Sequence, residues 1–170
     1  VSIPSGTLRA QMMPGMKVTE SLKPVSIRKQ GDKHILDIGQ NMAGWLRIRI
    51  KGQAGDSIRL RFAERLQPDG EIFTKNLRDA HCTDIYVVSG REPQDATWAP
   101  RFVYHGFRYV EISGYPNAKT EDFTAEVVDD EMAHTGTFTC SDETLNQVLR
   151  NAFWGIRSNY KGMPVDCPQR

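Results

Sequence analysis

Two consecutive stretches of the chain alternate apolar and charged residues with a strict period of two. Trp45-Leu46-Arg47-Ile48-Arg49-Ile50-Lys51 is the first, and Ser57-Ile58-Arg59-Leu60-Arg61-Phe62 the second. Successive side chains of an extended strand point to opposite faces, so Leu46, Ile48 and Ile50 share one face while Arg47, Arg49 and Lys51 share the other. A helix would scatter both sets around its circumference. One apolar and one wet face is the behaviour of an antiparallel sheet, and Gly52 and Gly55-Asp56 supply the break between the two strands. Extended segments recur on either side: Val25-Ile27, Ile35-Ile38, Glu71-Thr74, Cys82-Val88, Phe102-Tyr104, Phe107-Ile112, Phe123-Val128 and Thr135-Thr139. Turn signals separate them, Gly31-Asp32 and Pro68-Asp69-Gly70 being the strongest. Roughly ten short strands without intervening helices predict a mainly-β fold, an antiparallel β-sandwich or jelly roll. Ile85-Tyr86-Val87-Val88 does not alternate and is read as buried on both sides. The outward arginines Arg47, Arg49, Arg59 and Arg61 are read as a solvated face over apolar stems.

The ends differ from this pattern. Residues 1–23 hold Pro4, Gly6, Pro14 and Gly15 and read as an extended lead-in to a β-domain over 24–140. From 141 the period changes. Ser141 is placed as N-cap ahead of the acids Asp142 and Glu143, which suit the positive end of a helix dipole. Leu145, Val148, Leu149, Ala152, Phe153 and Ile156 then recur at three and four, predicting an amphipathic helix from Asp142 to about Tyr160. Its apolar stripe has no partner within the pattern. It is therefore expected to fold back on the sheet or drive self-association. One helix and an irregular stretch to Arg170 read as the truncated start of a second domain.

Composition narrows the function. Lys and Arg number 22 against 21 Asp and Glu, leaving a net charge of +1 and no global field for nucleic acid or anionic lipid. No apolar run reaches the roughly 18 residues of a membrane span. Val1 to Gln11 lacks the basic and apolar regions of a signal peptide, so compartment is open between the cytoplasm and export directed by an upstream signal. The 3 cysteines, Cys82, Cys140 and Cys167, form no C-x-x-C pair and are read as reduced thiols. The 4 histidines, His34, His81, His105 and His134, share no ligand spacing, so neither metal nor cofactor is implied. Phosphate-binding, zinc-protease and nucleophile-elbow motifs are absent. Asp129-Asp130-Glu131 reads as a solvated turn. Tyr104, Phe107 and Tyr109 read as core. Trp45 falls by parity on the arginine face and is a candidate sugar or interdomain contact.

Several longer motifs together resemble one family. Asp37-Ile38-Gly39-Gln40-Asn41-Met42-Ala43-Gly44-Trp45 is similar to a signature of bacterial α-L-rhamnosidases, glycoside hydrolase family 78. Ala63-Glu64, Thr74-Lys75-Asn76-Leu77-Arg78, Phe102-Val103-Tyr104-His105-Gly106-Phe107-Arg108-Tyr109-Val110-Glu111 and Pro164-Val165-Asp166-Cys167-Pro168-Gln169-Arg170 follow in that family's order. The resemblance implies that the β-domain is concanavalin-like and precedes an (α/α)6 catalytic barrel. The helix from Asp142 would open that barrel and stay unpartnered without it. It further implies inverting removal of terminal α-L-rhamnose, with Asp166 and Arg170 contacting the sugar ring. In the family the general acid is a Glu shortly past the last motif and the general base lies far beyond, so the 170 residues by themselves are expected to be inactive. The partners implied are rhamnosides and the rest of the catalytic domain. A stand-alone carbohydrate-binding or domain-docking module is the alternative from another functional class.

Overall fold

The computed structural model describes residues 5–169. They form ten strands and one long helix: β1 Met16–Leu22, β2 Ser26–Gln30, β3 Lys33–Arg49, β4 Ser57–Ala63, β5 Thr83–Val87, β6 Thr97–Trp98, β7 His105–Ser113, β8 Phe123–Asp130, α1 Glu143–Asn159, β9 Tyr160–Lys161 and β10 Met163–Pro164. Eight strands make one antiparallel sheet in the order β1-β8-β3-β7-β4-β5, with β2 and β6 both paired to β3. The 17-residue β3 is its spine. Its first half pairs with β2 and β7 and its second half with β8, β6 and β7.

The alternation predicted from the arginine-bearing stretches holds residue by residue. Leu46, Ile48, Ile58, Leu60 and Phe62 are fully buried, and with Leu36, Phe107, Val110, Ile112, Phe123 and Val127 they fill one core inside the curled sheet. Each such side chain contributes roughly 1.5–3 kcal/mol of apolar transfer. A smaller cluster of Ile35, Ala63 and Ile72 lies apart from it.

Four expectations are corrected. Ile85 and Val87 are 56% and 59% exposed, because they share the uncovered face of the edge strand β5, while Asp84 and, just past the strand, Val88 turn inward. Glu71-Thr74 is no strand. One bridge, Leu66 to Ile72, closes a small loop around Pro68-Asp69-Gly70, and Gly70 N–H donates to the Gln67 carbonyl at 2.9 Å. Phe102-Tyr104 is not extended throughout, since Phe102 takes a left-handed φ of 60° and projects into solvent. Thr135-Thr139 is irregular and exposed, as both edges of β8 are already taken by β1 and β3. Of the lead-in stretch, Met16–Leu22 forms β1 and joins the sheet beside β8.

The arginine face is wet, and Arg47, Arg49 and Arg61 on it are paired. Arg47 binds Glu126 through two nitrogens at 2.7 and 3.0 Å, Arg49 reaches Asp95 at 3.1 Å, and Arg61 reaches the buried Glu111 at 2.9 Å. α1 begins one residue later than its sequence signal. Asp142, not Ser141, is the N-cap, and its carboxylate accepts from Thr144 and Leu145 N–H at 2.8 and 3.3 Å. Trp154 packs against the core, whereas Leu145, Val148, Leu149 and Ile156 remain exposed. The stripe is thus only partly covered.

Candidate functional site

Three of the motifs quoted above meet on one side of the sheet. The β3–β7 pairing lapses between Asp37 and Met42, and the irregular stretch of β3 there is tied down by side chains. Arg108 grips Asp37 with Nε and Nη2 at 2.9 and 3.0 Å, and Gly39 N–H donates to the same carboxylate at 2.7 Å. Burial would raise the Asp37 pKa, but the guanidinium and the amide outweigh it and hold the carboxyl below its ordinary value. Asn41 donates to Glu64 at 3.0 Å, joining the Ala63-Glu64 motif to the same turn. These residues are structural staples.

The motif at the C-terminal end is seated beside them. β9 and β10 form a short hairpin, and the Val165 amide closes it onto the Asn159 carbonyl at 2.8 Å. Two grips hold the hairpin to β8. Lys161 Nζ donates to the Val128 carbonyl, and Gly162 N–H donates to Asp130 at 2.6 Å. Asp129 and Asp130 are buried residues of β8, not the solvated turn expected for Asp129-Asp130-Glu131, because Arg157 of α1 binds Asp129 and the hairpin after α1 binds Asp130. Asp166 lies past this hairpin, exposed. Arg170, the other sugar-contact candidate, lies outside the described residues.

Beyond Asp166 the chain meets a buried polar group that sequence reasoning missed. The Cys82 thiol donates to the Gln169 carbonyl at 2.7 Å. His105, at the start of β7, sets Nε2 2.9 Å from Asp84 Oδ1 and stacks on Phe62 with 4.3 Å between centroids. Burial would depress the imidazole, but Asp84 and then Cys82 outweigh it and push the pKa up to about 9. Periodicity marks His105 and Cys82 as strand residues; it says nothing of a partner found on another strand.

The remaining candidate, Trp45, is half-buried on the arginine face as parity predicts, and its indole N–H donates to Glu126 at 2.5 Å. It lines an open groove of about 1040 Å³ with Arg47, Trp98, Phe102 and Tyr104. The groove abuts the hairpin, since Lys161 Nζ stands 5.5 Å from the Tyr104 ring. Among the described residues no group of three or more His, Cys, Asp or Glu side chains is placed to hold a metal ion.

The His105 shift has a testable sign. A folded pKa above the unfolded value means that the folded state holds the extra proton, so the stabilisation is complete below about pH 6.5 and is lost as pH rises through 9. Lys161 acts oppositely, but only higher up. Burial, against the pull of Asp129 and Asp130, lowers its pKa to about 8, so it adds stability as pH rises from there. Between pH 6.5 and 8, urea unfolding is expected to show a loss of about 2 kcal/mol that disappears in His105→Gln. Equal pH slopes in the two proteins would contradict the buried pairing.

Comparison with known proteins places these features. A family model described as the bacterial alpha-L-rhamnosidase concanavalin-like domain matches residues 27–129, and one described as the bacterial alpha-L-rhamnosidase 6 hairpin glycosidase domain matches residues 133–170. An alpha-L-rhamnosidase of Streptomyces avermitilis is 41% identical over 162 residues, covering 95% of this chain and 15% of that protein. The crystal structure of a Streptomyces avermitilis alpha-L-rhamnosidase complexed with L-rhamnose superposes with a TM-score of 0.90 at 39% identity, over 95% of this chain and 16% of the other. The alpha-L-rhamnosidase of Dictyoglumus thermophilum gives 0.89 at 37% identity, over 95% and 18%. The chain thus spans less than a fifth of the length of these relatives.

Proposed function

This chain belongs to the bacterial α-L-rhamnosidase family, and from that membership we propose that it serves an enzyme that removes terminal α-L-rhamnose by inverting hydrolysis, as its concanavalin-like domain and the first elements of its catalytic domain. The proposed boundary lies near residue 140. The observation that carries the reading is the seating of the segment with Asp166 and Gln169 on the β-domain, where strands rather than a mobile tail support it. Asp166 accepts hydrogen bonds from sugar hydroxyls as an ionised carboxylate, and Arg170 supplies a rigid donor fork. The two carboxyls that would perform the chemistry, about 6.5–9.5 Å apart to admit a water, lie beyond residue 170 in the resembling family. Trp45 and its groove serve to dock neighbouring structure, since Glu126 already occupies both the indole N–H and the Arg47 fork.

Two measurements test this. The 170-residue chain alone is expected to leave an aryl α-L-rhamnoside intact. In the full-length native protein, Asp166→Asn is expected to lower kcat/KM for that substrate by about 10- to 100-fold, the worth of a hydrogen bond to a charged group. Turnover by the isolated chain, or an Asp166→Asn enzyme as fast as wild type, refutes the reading.

A further inference from the structure

The contact between the β-domain and the segment past Asp166 has two components of different kinds. The first is directional. Cys82, just before β5, donates to the carbonyl of Gln169, the chain's last described residue, and Asp84 of β5 holds His105 of β7 at 2.9 Å. Cys82 and Asp84 are two positions apart at the start of β5, and Phe62 of β4 fixes Cys82 and His105, its amide donating to the Cys82 carbonyl at 2.9 Å and its ring lying against His105.

The second component is steric. Gly106 follows His105, and a Cβ there would lie 2.9 Å from both Gln169 N and the Pro168 carbonyl carbon and 3.0 Å from Pro168 Cγ. Such distances are closer than carbon atoms pack, so the missing side chain is what lets Pro168-Gln169 lie directly on β7. Packing and hydrogen bond converge on the two ends of one residue, Gln169, the contact at its amide nitrogen and the bond at its carbonyl, three residues from Asp166.

We propose that Cys82, His105 and Gly106 are positioning residues, which clamp the Pro168-Gln169 peptide to the β-domain and so hold Asp166 where it meets the substrate. The clamp itself stands on the contacts above, while its consequence for catalysis rests on the role proposed for Asp166. None of the three touches substrate. They act through the backbone that carries Asp166, and a displacement of about 1 Å in such a group is enough to cost up to about 100-fold in rate.

The test uses the full-length native protein and reads two quantities: hydrogen exchange of the peptide spanning 163–169, and kcat and KM for an aryl α-L-rhamnoside. Cys82→Ala is expected to raise exchange in that peptide and lower kcat/KM about fivefold. Cys82→Ser, which keeps a donor for the Gln169 carbonyl, is expected to restore both. Gly106→Ala is expected to produce a larger loss, about 10- to 100-fold; should it fail to fold, the Cys82 pair still decides. Unchanged exchange in Cys82→Ala overturns the clamp. Raised exchange with unchanged kcat and KM overturns its role in positioning, as does failure of serine to restore activity. Insensitivity to Asp166→Asn would instead strike the proposed function, while the exchange results would still decide whether the clamp exists.

Discussion

Gly44→Ala is expected to destroy the native sheet. Gly44 sits in the middle of β3, paired with Val127 of β8 on one side and His105 of β7 on the other. A Cβ built on it lies 1.9 Å from the Glu126 carbonyl oxygen and 2.8 Å from Met42 Cε. The methionine end can move, but the carbonyl cannot. It belongs to the strand that pairs with Gly44, so relief means shifting β8 against the spine of the fold. Ordinary overpacking costs about 1–3 kcal/mol, and a backbone clash at this distance belongs above that range. Against a total stability of about 5–15 kcal/mol, the variant should unfold at a much lower urea concentration or accumulate unfolded. An unchanged urea midpoint and far-ultraviolet circular dichroism spectrum would refute the close approach of β3 and β8.

Arg157→Ala should release α1 from the sheet. The Arg157 side chain donates from Nε to Asp129 at 2.7 Å, from Nη1 to Glu20 at 2.7 Å and from Nη2 to Thr19 at 3.0 Å, while its guanidinium lies 4.6 Å from the Trp154 ring. Asp129 is 4% exposed at its side chain, so removing the arginine leaves a carboxylate buried beside the apolar sheet. Deleting one partner of such a pair costs about 3–5 kcal/mol, most of it the desolvation of the charge left behind. The exposed apolar residues of α1 add nothing to hold it down. The helix is expected to open before the sheet, exposing Arg150 to trypsin at concentrations that leave the wild type intact. Arg157→Lys should recover only part of the loss, since an ammonium cannot span Asp129, Glu20 and Thr19 together. Equal tryptic resistance of Arg157→Ala and wild type would show that Asp129 does not anchor the helix.

The two variants mark different depths of legibility. Gly44 stands inside a motif whose resemblance was plain from the sequence, yet the reason for a glycine there is a carbonyl 82 positions further along the chain, at residue 126. Asp129 was read as solvated because only its own neighbours were in view; Arg157, 28 positions away, reverses that reading. Ile85 and Val87 went the same way. An unalternated apolar run fits a buried strand, and only the order of the sheet reveals that β5 is its edge. Of the candidate site, the proposed residues Asp166 and Trp45 come from motif and parity, whereas Cys82, Asp84 and His105 could not be named, since what marks them is a contact with Gln169 or with one another.

The sequence alone determined which residues face inward in β3 and β4, that the chain is mainly β with one helix near its end, and which family it belongs to. Those properties follow from local spacing and ordered motifs, which neighbouring residues encode directly. Tertiary structure decided the pairings: Asp37 with Arg108, Asp129 with Arg157, and Cys82 with Gln169, across 71, 28 and 87 positions. A side chain's alternation states which face it takes, but its partner depends on strand order, register and the lapse in pairing between Asp37 and Met42, all set by the sheet as a whole.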